Sequence, residues 1–135
     1  MKRNAARNLL AGGSLVMVLG ATAALAGYTW NPPASCTFYA DGSGSCSGTL
    51  LTFRNSTTSS DYASFEQSGE GTYSFRVNFQ GRLAECWKSV SAGSLAANHW
   101  NAAMSHRGRF SITWNASGTC GQLYLMNASY VNDAQ

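Results

Sequence analysis

The stretch TYSFRVNF, residues 72–79, alternates apolar and polar side chains without interruption. Apolar side chains occupy every second position: Tyr73, Phe75, Val77 and Phe79. Polar side chains lie between them: Ser74, Arg76 and Asn78. A period of two is typical of a β-strand that has one face in a core and the other in water. The stretch therefore predicts an amphipathic strand at the centre of the fold.

The segments on either side of this strand predict a three-stranded meander. Upstream, the turn sequence SGEG, residues 68–71, separates it from residues 62–67. Downstream, Gln80-Gly81 separates it from residues 82–90. Short glycine-containing connections of this kind join antiparallel neighbours. We therefore expect these three segments to pair in chain order.

The remaining chain predicts more strands and one helix. The further candidate strands are residues 36–40, 49–53, 109–115 and 122–126. The alanine-rich residues 94–106 predict a helix of about three turns, with Ser94 as its N-cap and Gly108 as its stop. Six or seven short strands with glycine-rich turns indicate an all-β fold. We expect a small antiparallel β-sandwich or barrel with one short helix, stapled by disulfides.

The first 26 residues have the pattern of a secretory signal peptide. A positive segment with Lys2, Arg3 and Arg7 precedes an apolar run, which ends in Ala24-Leu25-Ala26, an Ala-x-Ala cleavage site. Cleavage would leave residues 27–135, which are long enough for a single secreted β domain. We expect a secreted, periplasmic or extracellular protein with no membrane span after cleavage.

The charge of the predicted mature chain is balanced. Three of the nine Lys and Arg residues lie in the signal peptide, and the other six match the six Asp and Glu residues. Proteins that bind nucleic acids need a net basic surface to displace counterions from the phosphates. The composition therefore argues against a nucleic-acid partner.

All four cysteines lie after the signal peptide, at Cys36, Cys46, Cys86 and Cys120. An even count behind a signal peptide predicts two disulfides, and the lack of a Cys-x-x-Cys pair argues against zinc. The pairing Cys36–Cys46 with Cys86–Cys120 is favoured, because short loops close readily. A hairpin with a two- or four-residue loop would put Cys36 and Cys46 on opposite faces. Their bond would need an irregular loop or a bulge, so that residues 37–45 form a pinned loop instead of a regular hairpin. Bonds from Cys46 to Cys86 or Cys120 remain alternatives.

Cys46 lies in GSCSG, residues 44–48, which has the shape of a nucleophile elbow with cysteine in place of serine. An elbow needs a strand-to-helix turn in a βαβ fold and a reduced thiolate, and neither is expected here. The preceding Asp41-Gly-Ser-Gly-Ser45 supplies one carboxylate, whereas calcium loops supply several. We interpret the segment as a glycine-rich corner with a disulfide, and we predict no metal and no cofactor.

Aromatic side chains are the unusual surplus of this chain. Core alternation accounts for some of them, Phe75, Phe79, Phe110 and Trp114, but does not place Tyr28, Trp30, Trp87 and Trp100. Flat rings beside Asn or Ser suit the stacking of sugar rings, and they also suit protein interfaces. We therefore expect a non-enzymatic binding domain that recognises carbohydrate or a cell-surface glycan through these four side chains.

Two alternative functions stay open. A protein-binding module, such as an inhibitor or an envelope interaction partner, would present a rigid loop at residues 41–48. A small hydrolase would use His99 or His106 with a carboxylate such as Glu66 or Glu85. The two histidines are seven residues apart, about 10.5 Å along a helix, too far to chelate one metal ion. We therefore expect them at the margin of a helix that rests on the sheet, and we predict no catalytic residue.

Overall fold

A computed structural model describes residues 33–127. The predicted signal peptide, Tyr28 and Trp30 lie outside the described residues. The fold is all-β, as predicted. The chain order of the elements is β1 (Ser35–Phe38), β2 (Gly44–Gly48), α1 (Leu50–Arg54), β3 (Tyr62–Gly69), β4 (Thr72–Phe79), β5 (Arg82–Ser89), α2 (Leu95–Met104), β6 (Arg109–Trp114) and β7 (Cys120–Met126).

The strands form two antiparallel sheets. The first sheet has the order β1-β2-β6-β7, and the second is the predicted meander β3-β4-β5. The edge of β5 meets the turn that leads into β7, where the backbone N–H of Trp87 donates to the carbonyl oxygen of Gly118 at 2.8 Å. A disulfide between Cys86 and Cys120 crosses the same junction. The sheets are therefore joined along one side and enclose the core between their inner faces.

The core is built from rings contributed by both sheets. Phe110 of β6 lies 5.2 Å from Phe65 and 5.7 Å from Phe75, measured between ring centroids. Phe110 also stacks on Phe53 at 5.8 Å. Val77 lies on the same face of β4 as Phe75 and is buried as well. The alternation of residues 72–79 thus gives the inner face that the sequence predicts.

Residues 49–53 were expected to be a strand, and this prediction is wrong. Thr49 is instead the N-cap of the short helix α1, where its hydroxyl accepts a hydrogen bond from the backbone N–H of Thr52. The hydroxyl of Thr52 in turn accepts from the backbone N–H of Thr49, which completes a capping box. The helical turn places Phe53 in the core between the two sheets.

The alanine-rich segment forms α2 and is capped by Ser94, as predicted. The Ser94 hydroxyl accepts a hydrogen bond from the backbone N–H of Ala97 at 3.1 Å. The helix ends at Met104, with Ser105 as its C-cap, before the predicted stop at Gly108. Its buried face carries Ala97, Trp100 and Ala103, which are spaced three residues apart.

The first hairpin contains the favoured local disulfide, Cys36–Cys46, and Cys86–Cys120 is the second pair. Cys36 lies directly opposite Cys46 in the ladder, with a Cα–Cα distance of 4.1 Å. Tyr39 pairs with Ser43, and Gly42 has a φ of +88°, so residues 40–42 form a three-residue loop with a glycine bulge.

The predicted bulge is therefore present, but the prediction that residues 37–45 depart from a regular hairpin is wrong. An odd loop length brings both cysteines to the same face while the strands keep a regular register.

Candidate functional site

Two of the tryptophans that the sequence did not assign to the core, Trp87 and Trp100, differ in their exposure to solvent. Trp100 is only 4 % exposed, and its ring stacks on Tyr73 at 5.9 Å and meets Phe65 edge-on at 6.1 Å. The expectation of Trp100 as a ligand-binding residue is therefore corrected, because its ring belongs to the core under α2. Trp87 is 42 % exposed and lies on the other side of the second sheet. Tyr28 and Trp30 precede the described residues.

Trp87 belongs to what we call the outer face of the second sheet. This face consists of the side chains that alternate with the buried ones across β3, β4 and β5. Their cross-strand pairing gives three rows: Tyr62–Asn78–Leu83, Ser64–Arg76–Glu85 and Glu66–Ser74–Trp87. The rows bring together two aromatic rings, an amide, an arginine and two carboxylates that are far apart in sequence.

Arg76 is the centre of this face. Its Nε donates to Glu85 Oε1 at 2.6 Å, and its terminal NH1 lies 3.5 Å from Glu66 Oε2. The hydrogen bond to Glu85 and the negative charge of Glu66 raise the pKa of Arg76 above its ordinary value. Ser64 donates to Glu66 Oε1 at 3.0 Å and holds that carboxylate from its other side. The middle of the face is therefore a connected polar network.

Tyr62 and Leu83 form the apolar corner of the face. Tyr62 is 43 % exposed, and Leu83 is more exposed still. Together with Arg76 and Glu85 they line a shallow depression of about 320 Å³. Between them, Asn78 Oδ1 is buried and accepts no hydrogen bond from the described residues. Buried amide oxygens nearly always accept a hydrogen bond, so Asn78 Oδ1 is an acceptor that a donor group of a ligand or a water molecule could satisfy.

Trp87 forms the opposite corner. Its backbone N–H is fixed by Gly118, and the adjacent Cys86 is bonded to Cys120. Glu66 lies across the sheet from it, with the small buried Ser74 between them. The indole is thus presented from a backbone that is anchored to both sheets.

The outer face of the first sheet differs in composition. It carries hydroxyl side chains on three adjacent strands: Ser35, Thr37, Ser45, Ser47, Ser111 and Thr113. Its one large exposed ring is Tyr124, which lies opposite Ser111 and is 61 % exposed. No acidic side chain lies at these seven positions.

The histidines proposed for a hydrolase bind backbone carbonyl groups. His99 Nε2 lies 2.9 Å from the carbonyl oxygen of Leu123. His106 Nε2 lies 3.1 Å from the carbonyl oxygens of both Arg109 and Met126. His99 therefore ties α2, and His106 ties the segment that follows α2, to the β6–β7 hairpin, in agreement with the expectation of a helix resting on the sheet. These bonds give neither ring the carboxylate partner that the hydrolase hypothesis requires.

The tip of the β1–β2 hairpin, Tyr39–Ser43, is held from several sides. Asp41 Oδ1 accepts hydrogen bonds from Ser43 Oγ at 2.6 Å and from the Ser43 backbone N–H at 2.9 Å. These two bonds lower the pKa of Asp41 below its ordinary value. The indole N–H of Trp114 donates to the carbonyl oxygen of Gly42 at 3.1 Å. Tyr39 remains 57 % exposed at this fixed tip.

Within residues 33–127, no group of three or more His, Cys, Asp or Glu side chains is gathered in a way that could hold a metal ion. Asp41, the carboxylate of the segment that was compared with a calcium loop, instead accepts hydrogen bonds from Ser43 in its own loop. Neither helix in the same range has the length and apolar character needed to cross a membrane.

Comparison of the chain with protein-family models, with curated proteins and with solved structures found no match.

Proposed function

We propose that this chain is a secreted, non-enzymatic domain that binds carbohydrate through the outer face of the second sheet. The observation that carries the proposal is the exposure of Trp87 and Tyr62 on one face, on either side of the Arg76 network. A sugar ring has an apolar C–H face that packs on a flat aromatic ring, while its hydroxyl groups need donors and acceptors. The outer face of the second sheet supplies both kinds of contact.

The rigidity of the face supports this proposal. Binding costs less free energy when the contacting groups are already ordered. Here the backbone beneath Trp87 is fixed by Gly118 and the Cys86–Cys120 disulfide, and Arg76 is held by two carboxylates. The face would therefore lose little conformational freedom when a ligand binds.

Secretion is the second part of the proposal. Its support is the signal-peptide pattern of residues 1–26 together with two disulfides in the described domain. Disulfides form and persist in oxidising compartments such as the periplasm or the extracellular space. Expression of the full chain in a secreting host, followed by mass analysis, tests this part. A mature N-terminus at Gly27 is expected, and an unprocessed chain that stays in the cytoplasm would contradict it.

A glycan array probed with the mature domain tests the binding function. We expect retention on a subset of glycans, and a loss of affinity of about tenfold or more for Trp87→Ala, as for exposed aromatic hot spots. Tyr124→Ala is the matched control, because it removes an exposed ring from the other sheet. Equal melting temperatures would show that both variants are folded. Failure of the wild type to bind any glycan, or equal binding by Trp87→Ala, would overturn the proposal.

A second candidate function is protein recognition through the hairpin tip, Tyr39–Ser43. The specific observation in its favour is an exposed Tyr39 on a loop fixed by Asp41, Trp114 and the Cys36–Cys46 disulfide. Rigid tyrosine-bearing loops are typical of protein-binding surfaces. Inhibition assays against a panel of secreted proteases, with Tyr39→Ala beside Trp87→Ala, test it. Inhibition lost only in Tyr39→Ala would support this function over glycan binding.

A further inference from the structure

The position of the two exposed rings on the outer face of the second sheet limits the shape of a ligand. Tyr62 lies on β3 and Trp87 on β5, two strands apart, and the register sets them four residues apart along the strands. With strands about 4.8 Å apart and residues about 3.4 Å apart, their Cα atoms are separated by about 17 Å. One sugar ring cannot contact both side chains over that distance.

Arg76 lies halfway along the same diagonal. It is on β4, between β3 and β5, and its row lies between the rows of Tyr62 and Trp87. Each step of the diagonal is therefore about 8 Å by the same strand geometry. A chain lying on this path meets a ring, then the polar network, then a second ring.

The charge of the face limits the chemistry of the ligand. Of its nine positions, the charged ones are Glu66, Glu85 and Arg76, so two carboxylates against one guanidinium leave one net negative charge. The guanidinium is already engaged by both carboxylates at 2.6 and 3.5 Å. A sulfate or uronate that approaches the guanidinium would be repelled by both carboxylates. A hydroxyl group can instead donate to a free lone pair of either carboxylate.

From this arrangement we infer that the outer face of the second sheet binds an extended, uncharged glycan chain along the diagonal from Tyr62 past Arg76 to Trp87. The inference rests on the proposed function and specifies its ligand class. The two rings stack on separate sugars of the chain, and the network of Arg76, Glu66 and Glu85 bonds the hydroxyl groups between them. Acidic glycans are excluded by the same network.

The test is a glycan array that carries uncharged, sulfated and uronate-bearing chains, each from single sugars to hexasaccharides. We expect binding only to uncharged chains. The affinity should rise at least about tenfold from single sugars to hexasaccharides, which is about the gain in affinity expected from one additional strong contact. Tyr62→Ala and Trp87→Ala should each abolish this gain with length, and Tyr124→Ala should keep it.

Charge is tested separately with the double variant Glu66→Gln/Glu85→Gln, which leaves the rings in place. We expect it to acquire binding to sulfated chains that the wild type does not bind, because Arg76 is then unopposed. Unchanged discrimination in this variant would overturn the charge argument.

The outcomes distinguish the inference from the function it rests on. Wild-type binding to acidic chains that requires Trp87 would overturn the inference and leave glycan binding in place. Equal binding to single sugars and hexasaccharides would overturn the extended path alone. Absence of binding to every glycan would overturn the proposed function itself.

Discussion

The two sheets have similar inner faces and different outer faces. Inside, Phe110 and Ile112 of the first sheet face Phe75 and Val77 of the second, and all four are buried. Outside, the first sheet carries mainly hydroxyl groups, together with Tyr124, Arg109 and Met126, and no carboxylate at these paired positions. The second sheet instead combines two rings and an arginine with two carboxylates. Folding requires apolar side chains on the inner faces of the sheets, whereas the outer faces need only be polar enough to remain in water. The outer face of the second sheet carries more than folding requires, and we therefore propose it as the binding surface.

The largest effect expected is the loss of the shared inner face. Phe110→Ala removes a ring that contacts Phe53, Phe65 and Phe75, and should lower the free energy of unfolding by about 3–5 kcal/mol. Ser111→Ala, the next residue on the same strand, points to the outer face and should change stability by less than about 0.5 kcal/mol. Urea unfolding followed by tryptophan fluorescence measures both. Similar losses in the two variants would show that inner and outer faces are not distinct.

The alternation behind this prediction could be read from the sequence. Residues 72–79 and their short turns identified the second sheet, because both signals are local. The helix α1 was missed, because TLLTF has the apolar composition of a strand and its helical form depends on the Thr49–Thr52 capping box and the burial of Phe53. Such tertiary burial overrides local propensity.

The candidate site was only partly predictable, because its membership depends on the pairing of distant strands. Trp87 was named from the sequence, but the presence on the same face of Glu66, in its own row, and of Tyr62, at the opposite corner, follows only from the register of the strands. The burial of Trp100 is, by contrast, indicated by the sequence, since Ala97, Trp100 and Ala103 share one face of α2 at helical spacing.

The disulfides provide the next test, because one lies within the first sheet and the other joins the two sheets. Chain entropy gives about 3 kcal/mol for the 10-residue separation of Cys36–Cys46 and about 4 kcal/mol for the 34-residue separation of Cys86–Cys120. The double variant Cys86→Ala/Cys120→Ala should therefore unfold at lower urea concentration than Cys36→Ala/Cys46→Ala. The reverse order would mean that the local bridge, not the junction between sheets, limits stability.

A smaller effect is expected from the ion pairs on the outer face of the second sheet. Arg76 and its two carboxylates are largely in solvent, so their mutual stabilisation is weak and screened by salt. A double-mutant cycle with Arg76→Gln and Glu85→Gln should show a small coupling that disappears in 1 M NaCl, where the Debye length is about 3 Å. The pair Ser47→Ala and Ser111→Ala on the first sheet should show no salt-dependent coupling. A coupling that persists in high salt would indicate that the network is shielded from water.

The smallest effect concerns Asp41 at the tip of the first sheet. Hydrogen bonds from the Ser43 hydroxyl and backbone hold its pKa below the ordinary value, so the folded state favours the carboxylate. This contribution to stability is present above the unfolded-state pKa and is lost as the pH falls through the lower folded-state pKa. An NMR titration of the Asp41 carboxyl carbon should show that low midpoint, and Ser43→Ala should raise it. Ser45→Ala, in the adjoining strand β2, should leave it unchanged, since the two hydrogen bonds to Asp41 Oδ1 come from Ser43. An Asp41 midpoint that Ser43→Ala does not move would show that the tip is not held by this carboxylate, and it would remove one of the supports for a rigid hairpin loop.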